Sequence, residues 1–315
     1  MNTIGWVGLG NMGSRMAANL VQAGHEVKGF DLNATAREIA ASNGVQIAEN
    51  IAQAVSGVDV VFTMLPKGAH VRSVFEGEDG IWANANKSTL LVDSSTVDVE
   101  TSKYLHEESS KLGFEFVDAP VSGGISGAAA GTLAFMLGGS VENCTRAEKF
   151  IEPMSGRIFV AGGPTMGIAA KVANNLMLFI NVLANSEGAQ LAEKLGLDPK
   201  VFWDIVSASS GQSWAQQTWY PKPGILDNGP ADNNFDPGFA VELARKDVGL
   251  ALEAGAAAGI NLPAGELARK QFDQLISEGL ARKDCTLVAK LVDPAEQLEG
   301  LSEEASTANQ KESAV

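Results

Sequence analysis

The first half of the chain alternates short runs of β-branched and aromatic residues with stretches in which apolar residues recur at helical spacing. Alternation of this kind predicts βαβ units that share a mainly parallel sheet. Residues 12–22, between the first two runs, carry the clearest helical pattern. The predicted strands are Thr3–Val7, Glu26–Phe30 and residues 58–63, 89–92, 114–117, 133–137 and 158–160.

The pattern changes after Gly163. Residues 166–195 contain no proline and keep helical spacing throughout, which predicts one long helix. Strand patterns largely disappear beyond this helix, so the second half should be all-α. The helical spacing there recurs at residues 199–207, 241–258, 264–278 and 286–291.

One segment of the second half fits neither a helix nor a strand. Residues 221–238 hold four prolines and three glycines. Loops this long in compact domains are usually functional or disordered. The nearby Trp214 and Trp219 favour an ordered, packed loop.

Charge and composition exclude several classes of function. The net charge of −15 argues against binding to nucleic acid or to an anionic membrane. The two cysteines form no CxxC pair and the three histidines have no metal-binding spacing, so we expect no metal site and a reducing, cytoplasmic location. The N-terminus has no basic region before an apolar run, and no segment approaches the ~18 apolar residues of a membrane span.

The strongest local motif is the run GLGNMG, which starts at Gly8 between a predicted strand and a predicted helix. Glycines at Gly8, Gly10 and Gly13 allow a tight turn, a close approach to a pyrophosphate and close packing of the helix on the strand. Asp31, about 20 residues on, can bind both ribose hydroxyls and repel a 2′-phosphate, which favours NAD over NADP. The residues that we assign to the cofactor here are Gly8, Leu9, Gly10, Asn11, Met12, Gly13 and Asp31. The alternative is a glycine turn in a non-binding α/β protein.

Three further polar runs follow predicted strands, where open α/β sheets bind their ligands. They are TMLPKGAHV from Thr63, DSSTVD from Asp93 and DAPVSGG from Asp118. Within the last, Ser122, Gly123 and Gly124 offer a hydroxyl and unobstructed amides that suit a carboxylate or phosphate. The alternatives are simple turns and, for the third run, a flexible linker.

The long predicted helix carries a polar stripe on an otherwise apolar surface. Lys171, Asn174, Asn175, Asn181 and Asn185 fall within about a third of its circumference. Lys171 and Asn175 are one turn apart and can converge on one ligand. A partly desolvated lysine has a lowered pKa and can exchange protons near neutrality. The alternative is a lysine that reaches solvent beside exposed asparagines.

Lys246 and Asp247 are neighbours on another predicted helix. An exposed charged pair is the default interpretation of such a dipeptide.

Taken together, these runs resemble the β-hydroxyacid dehydrogenases, most closely the 3-hydroxyisobutyrate branch. The resemblance covers residues 4–292 and includes six motifs in the family's order: GLGNMGSRMAANL, MLP, DSSTVD, DAPVSGG with GTLAFMLGG, GIAAKVANN and ARKDVGLA. The run SGQSWAQQTWYPKPGILDNGPADNNF is similar to the 3-hydroxyisobutyrate branch in particular. His70 and Gln212 depart from that branch, which often has asparagine and arginine at these positions.

The resemblance implies NAD-dependent oxidation of a small β-hydroxy acid, with Lys171 as the catalytic acid and base. It places the substrate at Ser122, Gly123, Gly124, Asn175, Lys246 and Asp247. It adds Leu65, Pro66, His70, Thr96, Phe239 and Lys246 to the cofactor contacts. The family also implies valine breakdown and a homodimer or homotetramer.

The resulting expectation is an α/β fold with an N-terminal Rossmann-like NAD-binding domain, a long interdomain helix and an all-α C-terminal domain. The expected segments are residues 1–163, the helix at 164–195, a substrate and oligomerisation domain at 196–293 and an acidic, disordered tail at 294–315. Three sibling activities remain open, on L-serine, on tartronate semialdehyde or glycerate, and on 4-hydroxybutyrate. A non-catalytic NAD-binding sensor or scaffold is the alternative of another class.

Overall fold

The computed structural model describes residues 1–293 and 298–301. Apart from residues 298–301, the predicted tail at 294–315 lies outside the described residues. The chain divides into two compact units, of which the first is Met1–Lys171 and the second begins at Val172.

The first unit is built on a sheet of nine strands. Their order is β3-β2-β1-β4-β5-β6-β8-β7, and β9 pairs with β8. Pairing is parallel from β3 to β6, β8 runs antiparallel to β6 and β7, and β9 is parallel to β8. The strands are β1 (Thr3–Val7), β2 (Glu26–Phe30), β3 (Gln46–Ile47), β4 (Val60–Thr63), β5 (Leu90–Asp93), β6 (Glu115–Asp118), β7 (Val121–Ser122), β8 (Leu133–Gly138) and β9 (Ser155–Gly162).

Helices cover both faces of this sheet. Successive strand residues alternate between two apolar clusters, as the side-chain period of two requires. Trp6 and Phe62 belong to one cluster, whereas Val7 and Val61 belong to the other. The helices are α1 (Gly13–Gln22), α2 (Ala34–Ser42), α3 (Ile51–Val55), α4 (Gly68–Phe75), α5 (Ile81–Asn84), α6 (Val99–Lys111), α7 (Gly124–Ala130) and α8 (Val141–Ile151), with a 3-10 turn at Glu152–Met154.

The second unit is helical. Helix α9 (Met166–Lys194) starts in the first unit and supplies Phe179 to a core that also holds Phe235 and Phe272. The loop at residues 221–238 is packed, as expected, because Phe235 within it is fully buried. The remaining helices are α10 (Pro199–Ser207), α11 (Trp214–Thr218), α12 (Val241–Ala257) and α13 (Pro263–Ser277), with 3-10 turns at Pro230–Asn233 and Cys285–Leu291.

Helix α9 corrects one expectation about membranes. Its length and composition would allow it to span a bilayer, although the sequence pattern predicted no such segment. Phe179, Val182 and Leu183 of this helix lie in the core of the second unit. Burial of this kind is typical of the central helix of a water-soluble domain.

The stacked pair Trp6 and Phe62 forms part of the packed core of the first unit. Both side chains are fully buried, and their ring centroids lie 5.2 Å apart. We expect Phe62→Ala to lower the free energy of unfolding by about 3–5 kcal/mol, because it leaves a cavity in a packed core. Urea unfolding followed by tryptophan fluorescence would measure this loss. Phe159→Ala is the matched control, since Phe159 is 51% exposed, and equal losses in the two variants would contradict the assignment.

Candidate active site

The turn between β1 and α1 is shaped by its glycines. Gly8 has a φ of +99°, and a Cβ at Gly8 would collide with the Met64 carbonyl. A Cβ at Gly13 would collide with the Gly8 carbonyl, so the helix can approach the strand only with glycine there. At Gly10, by contrast, the space within 4 Å of a Cβ is open. This open approach at the start of a helix fits the pyrophosphate of a dinucleotide.

Asp31 follows β2 and faces this turn. Its Oδ2 accepts a hydrogen bond from the Leu9 amide at 2.7 Å, and its Oδ1 accepts one from the Asn33 amide at 2.7 Å. Each carboxylate oxygen keeps an acceptor position that a ribose hydroxyl could use. The geometry therefore agrees with the predicted role of Asp31 as a reader of the ribose.

Arg37 is a neighbour of Asp31 that the sequence interpretation missed. It lies in the first turns of α2, and its Nη1 donates to the backbone carbonyls of Asp31 and Leu32 at 2.7 and 3.1 Å. A guanidinium beside the ribose position can hold a 2′-phosphate. The sequence feature that could have identified Arg37 is an arginine six positions after Asp31, rather than directly after it.

The ends of β4 and β5 form a second part of the site. The Leu65 amide donates to Ser95 Oγ at 2.9 Å, and Ser95 in turn donates its amide to Asp93 Oδ1 at 3.1 Å. Thr63 Oγ1 also donates to Asp93 Oδ1, at 2.6 Å. Burial raises the pKa of the Asp93 carboxyl. This network fixes the backbone that carries the predicted cofactor contact Leu65.

The other predicted contacts at these strand ends are more accessible. Pro66 and His70 are exposed, and Thr96 is half-buried. His70 lies on the first turn of α4, where its amide donates to the Lys67 carbonyl at 3.0 Å.

The predicted carboxylate site lies between β7 and α7. Ser122 ends the strand, and Gly123 and Gly124 have φ values of +132° and +66°. The flexible-linker alternative is wrong, because residues Gly124–Ala130 form a helix. All three residues are half-buried, which leaves them accessible to a ligand.

Lys171 and Asn175 are buried on α9. Their exposed fractions are 6% and 1%, so the alternative of a lysine reaching solvent beside exposed asparagines is wrong. Asn175 Nδ2 donates to Asp247 Oδ2 at 2.6 Å, and Asn174 Nδ2 donates to Asn175 Oδ1 at 3.1 Å. The amide of Asn175 is thus fixed at both ends.

Lys246 and Asp247 are not the exposed pair that their sequence favours. Asp247 is 3% exposed, and Lys246 Nζ lies 3.1 Å from its Oδ1. Asp247 therefore connects the lysine to Asn175 within the second unit. Phe239 lies in the same unit, where its ring packs on Phe179 at 5.4 Å.

Each unit contains some of the predicted site residues. The first unit holds the GLGNMG turn, Asp31, the β4 and β5 ends, the Ser122 turn and Lys171, and the second holds Asn175, Phe239, Lys246 and Asp247. Among residues 1–293 and 298–301, no group of three or more histidine, cysteine or acidic side chains could hold a metal ion.

Comparison with known families and relatives agrees with this geometry. The family described as the NAD binding domain of 6-phosphogluconate dehydrogenase matches residues 3–163. The family described as NAD-binding of NADP-dependent 3-hydroxyisobutyrate dehydrogenase matches residues 165–292. A probable 3-hydroxyisobutyrate dehydrogenase of Mycobacterium tuberculosis is 45% identical over 84% of this chain and 89% of that protein. The chain belongs to the 3-hydroxyisobutyrate dehydrogenase family.

Two further relatives show the range of the family. A 3-hydroxyisobutyrate dehydrogenase of Pseudomonas aeruginosa is 43% identical over 86% of this chain and 91% of that protein. The NAD-dependent L-serine dehydrogenase of the same organism is 38% identical over 94% of this chain and 99% of its own. A solved structure, the M. tuberculosis 3-hydroxyisobutyrate dehydrogenase with L-serine, superposes with a TM-score of 0.85 at 43% identity and covers 93% of this chain and 99% of that one.

Membership of this family establishes the class of enzyme. The chain is an oxidoreductase that acts on a CH–OH group and uses NAD. The predicted fold class is also confirmed, with a Rossmann-like parallel sheet followed by a helical part.

We expect Asp31 and Arg37 to make opposite contributions to the choice between NAD and NADP. We expect Asp31→Ala to lower the ratio of kcat/KM for NAD to that for NADP by roughly 10-fold or more, because a charged hydrogen-bond acceptor is lost. Initial rates with each cofactor would measure the ratio. Asp31→Asn should behave similarly while leaving one acceptor for the Leu9 amide.

The double variant that combines Asp31→Asn with Arg37→Ala provides the control for that experiment. It should lack whatever activity with NADP Asp31→Asn alone creates, because the cation beside the ribose is gone. An unchanged cofactor ratio in all three variants would mean that another group distinguishes the two cofactors.

Proposed function

We propose that this enzyme oxidises 3-hydroxyisobutyrate to methylmalonate semialdehyde, with Lys171 as the proton-transfer group. The observation that supports this most is the burial of Lys171 on α9, one turn from the fixed amide of Asn175. Relatives that carry the 3-hydroxyisobutyrate dehydrogenase name at 43–45% identity support the substrate. The reaction belongs to valine breakdown.

Each group of the chain has a distinct task in this mechanism. The amides of the GLGNMG turn bind the pyrophosphate, and Asp31 binds the ribose. Bound NAD supplies a hydride acceptor. Ser122, Gly123 and Gly124 hold the substrate carboxylate, which fixes the orientation of the carbon that loses the hydride.

Lys171 completes the oxidation by taking the hydroxyl proton. The neutral amine at Nζ accepts this proton while the C–H electron pair leaves as hydride, and the alcohol becomes an aldehyde. Asn175 can hold the substrate oxygen with its second Nδ2–H, because the first is engaged by Asp247.

L-serine is the second candidate substrate. A relative named NAD-dependent L-serine dehydrogenase matches nearly the whole chain, and the M. tuberculosis structure contains L-serine. L-serine carries an ammonium group where 3-hydroxyisobutyrate carries a methyl group. Gln212 stands where the branch often has arginine, and its Nε2 donates to the Ser207 carbonyl at 3.0 Å.

Initial rates of NAD reduction distinguish these substrates. We expect kcat/KM for 3-hydroxyisobutyrate to exceed the values for L-serine, glycerate and 4-hydroxybutyrate. A larger value for one of those three would replace the proposed substrate. NAD binding without oxidation of any of the four would indicate a sensor or scaffold instead.

The role of Lys171 is tested by Lys171→Ala. We expect kcat to fall by roughly 10²-fold or more while NAD affinity stays nearly unchanged, because proton transfer is lost and cofactor contacts remain. Stopped-flow rates and NAD titration would measure the two quantities. Lys149→Ala is the control, since Lys149 is an exposed lysine on α8. Full activity in Lys171→Ala would refute the role.

We also propose that the protein is a homo-oligomer in the cytoplasm. Apolar side chains four residues apart are exposed at two places in the second unit: Leu191 near the end of α9 with Leu195 just after it, and Val201 with Ile205 on α10. Helix α10 has no fully buried residue. Exposed apolar patches are typical of protein interfaces. Buried, unpaired Cys144 and Cys285 agree with a reducing compartment.

Analytical ultracentrifugation would test the oligomer. We expect a dimer or tetramer for the native chain and a smaller species for Ile205→Glu, because a charge would be buried in the interface. Val141→Glu serves as the control, since Val141 is 78% exposed on α8 of the first unit. A monomeric native chain would exclude the proposal.

A further inference from the structure

The start of α9 is held by a buried carboxylate from the sheet. Asp118 ends β6 and is 2% exposed. Its Oδ1 accepts a hydrogen bond from the Thr165 amide at 3.0 Å, and its Oδ2 accepts one from the Ile168 amide at 2.7 Å. The first amides of a helix have no partner within the helix. Asp118 therefore supplies a cap from a distant part of the sequence, and its negative charge faces the positive end of the helix dipole.

His106 fixes the carboxylate in turn. Its Nε2 lies 2.6 Å from Asp118 Oδ1, and its ring packs edge-on against Phe116 at 4.7 Å. Nε2 can donate a hydrogen bond to this carboxylate when it carries the ring proton, since an ionised carboxylate only accepts hydrogen bonds. Asp118 thus receives three N–H donors, two from the helix start and one from α6.

Close packing leaves the helix start little freedom. A Cβ at Gly138 would collide with the Asp118 carboxylate, and a Cβ at Gly167 would collide with the Met136 carbonyl. Thr165 has a φ of +71°, which is strained for a residue with a Cβ. Strain of this kind persists only where surrounding contacts determine the backbone, and it is common at functional sites.

The charge of Asp118 also reaches its other neighbours. Burial, with a smaller contribution from the Asp118 charge, raises the pKa of the Cys144 thiol on α8 to about 11. Burial raises the pKa of Asp93 on β5, and the Asp118 charge adds to that rise. His106, Asp93 and Cys144 are thus titratable groups that interact with Asp118.

We propose that Asp118, held by His106, is the positioning residue for Lys171. Lys171 follows Ile168 by three residues, about one helical turn, so the backbone that Asp118 fixes determines where Nζ is presented. Neither Asp118 nor His106 belongs to the predicted catalytic or binding set. The inference rests on the proposed catalytic role of Lys171.

Asp118→Asn tests this role with the smallest change of shape. An amide has one oxygen where the carboxylate has two, so at least one of the three donors will face an NH2 group. We expect kcat to fall by roughly 10-fold to 10²-fold, because small displacements of a reacting group have effects of this size. The KM for NAD should change less than about 2-fold, since the GLGNMG turn is untouched.

A double-mutant cycle separates positioning from general damage. If Asp118 acts through Lys171, Asp118→Asn will lower kcat little or not at all in a Lys171→Ala background. If it only stabilises the fold, the loss will be the same in both backgrounds, and the proposal is overturned. Full activity in Lys171→Ala alone would instead refute the proposed function.

His106 offers a rescue experiment. His106→Leu removes the donor to Asp118, and we expect it to lower kcat as Asp118→Asn does. His106→Gln keeps an N–H donor and should recover most of the activity. Equal losses in the two variants would refute the role of His106 as a donor.

Asp198→Asn is the matched control for the loss of a helix cap. Asp198 caps α10 by accepting a hydrogen bond from the Val201 amide at 2.9 Å, and it is not among the predicted site residues. We expect it to lower the melting temperature and leave kcat unchanged. If Asp118→Asn also lowers only the melting temperature, Asp118 has no positioning role.

Discussion

The parallel pairing of β1, β4, β5 and β6 brings the ends of these strands to one edge of the sheet. Register places Thr63 beside Asp93, and Asp93 beside Asp118. Two buried carboxylates on adjacent strands are unfavourable unless each is supplied with donors. Asp93 receives its donors from the β4 and β5 ends, and Asp118 receives them from α6 and α9. The polar edge of the sheet therefore determines both the cofactor turns and the start of the helix that carries Lys171.

The local sequence pattern was sufficient to predict the bounds of those helices and strands that tertiary contacts only reinforce. The bounds of β1, β2 and α10 agree with the sequence prediction, and α9 ends one residue earlier than expected. Helix α6 was not identified, because most of its side chains are polar and its apolar periodicity is weak. The function of α6 in the fold depends on the contact between His106 and Asp118, and no sequence pattern encodes that contact.

The same limit applies to the site. The glycine turn and Asp31 could be singled out from the sequence because the motif depends on near neighbours in a strand–turn–helix context. Asp247 was interpreted as half of an exposed pair because burial depends on what packs against α12, and the sequence of α12 alone does not contain that information. Arg37 was missed because its guanidinium reaches back along the chain to carbonyls five and six residues earlier.

The net charge of the chain makes oriented backbone groups important in the proposed site. The chain has a net charge of −15, yet its cofactor and its proposed substrate are both anionic. Lys246 lies 3.1 Å from Asp247, so that pair adds no net positive charge. In the proposed site, oriented amides in the glycine turns supply the attraction for these anions. In the proposed site, a side chain at Gly10, Gly123 or Gly124 would keep the anion away from the amides, so glycine at these positions serves the electrostatics of the site.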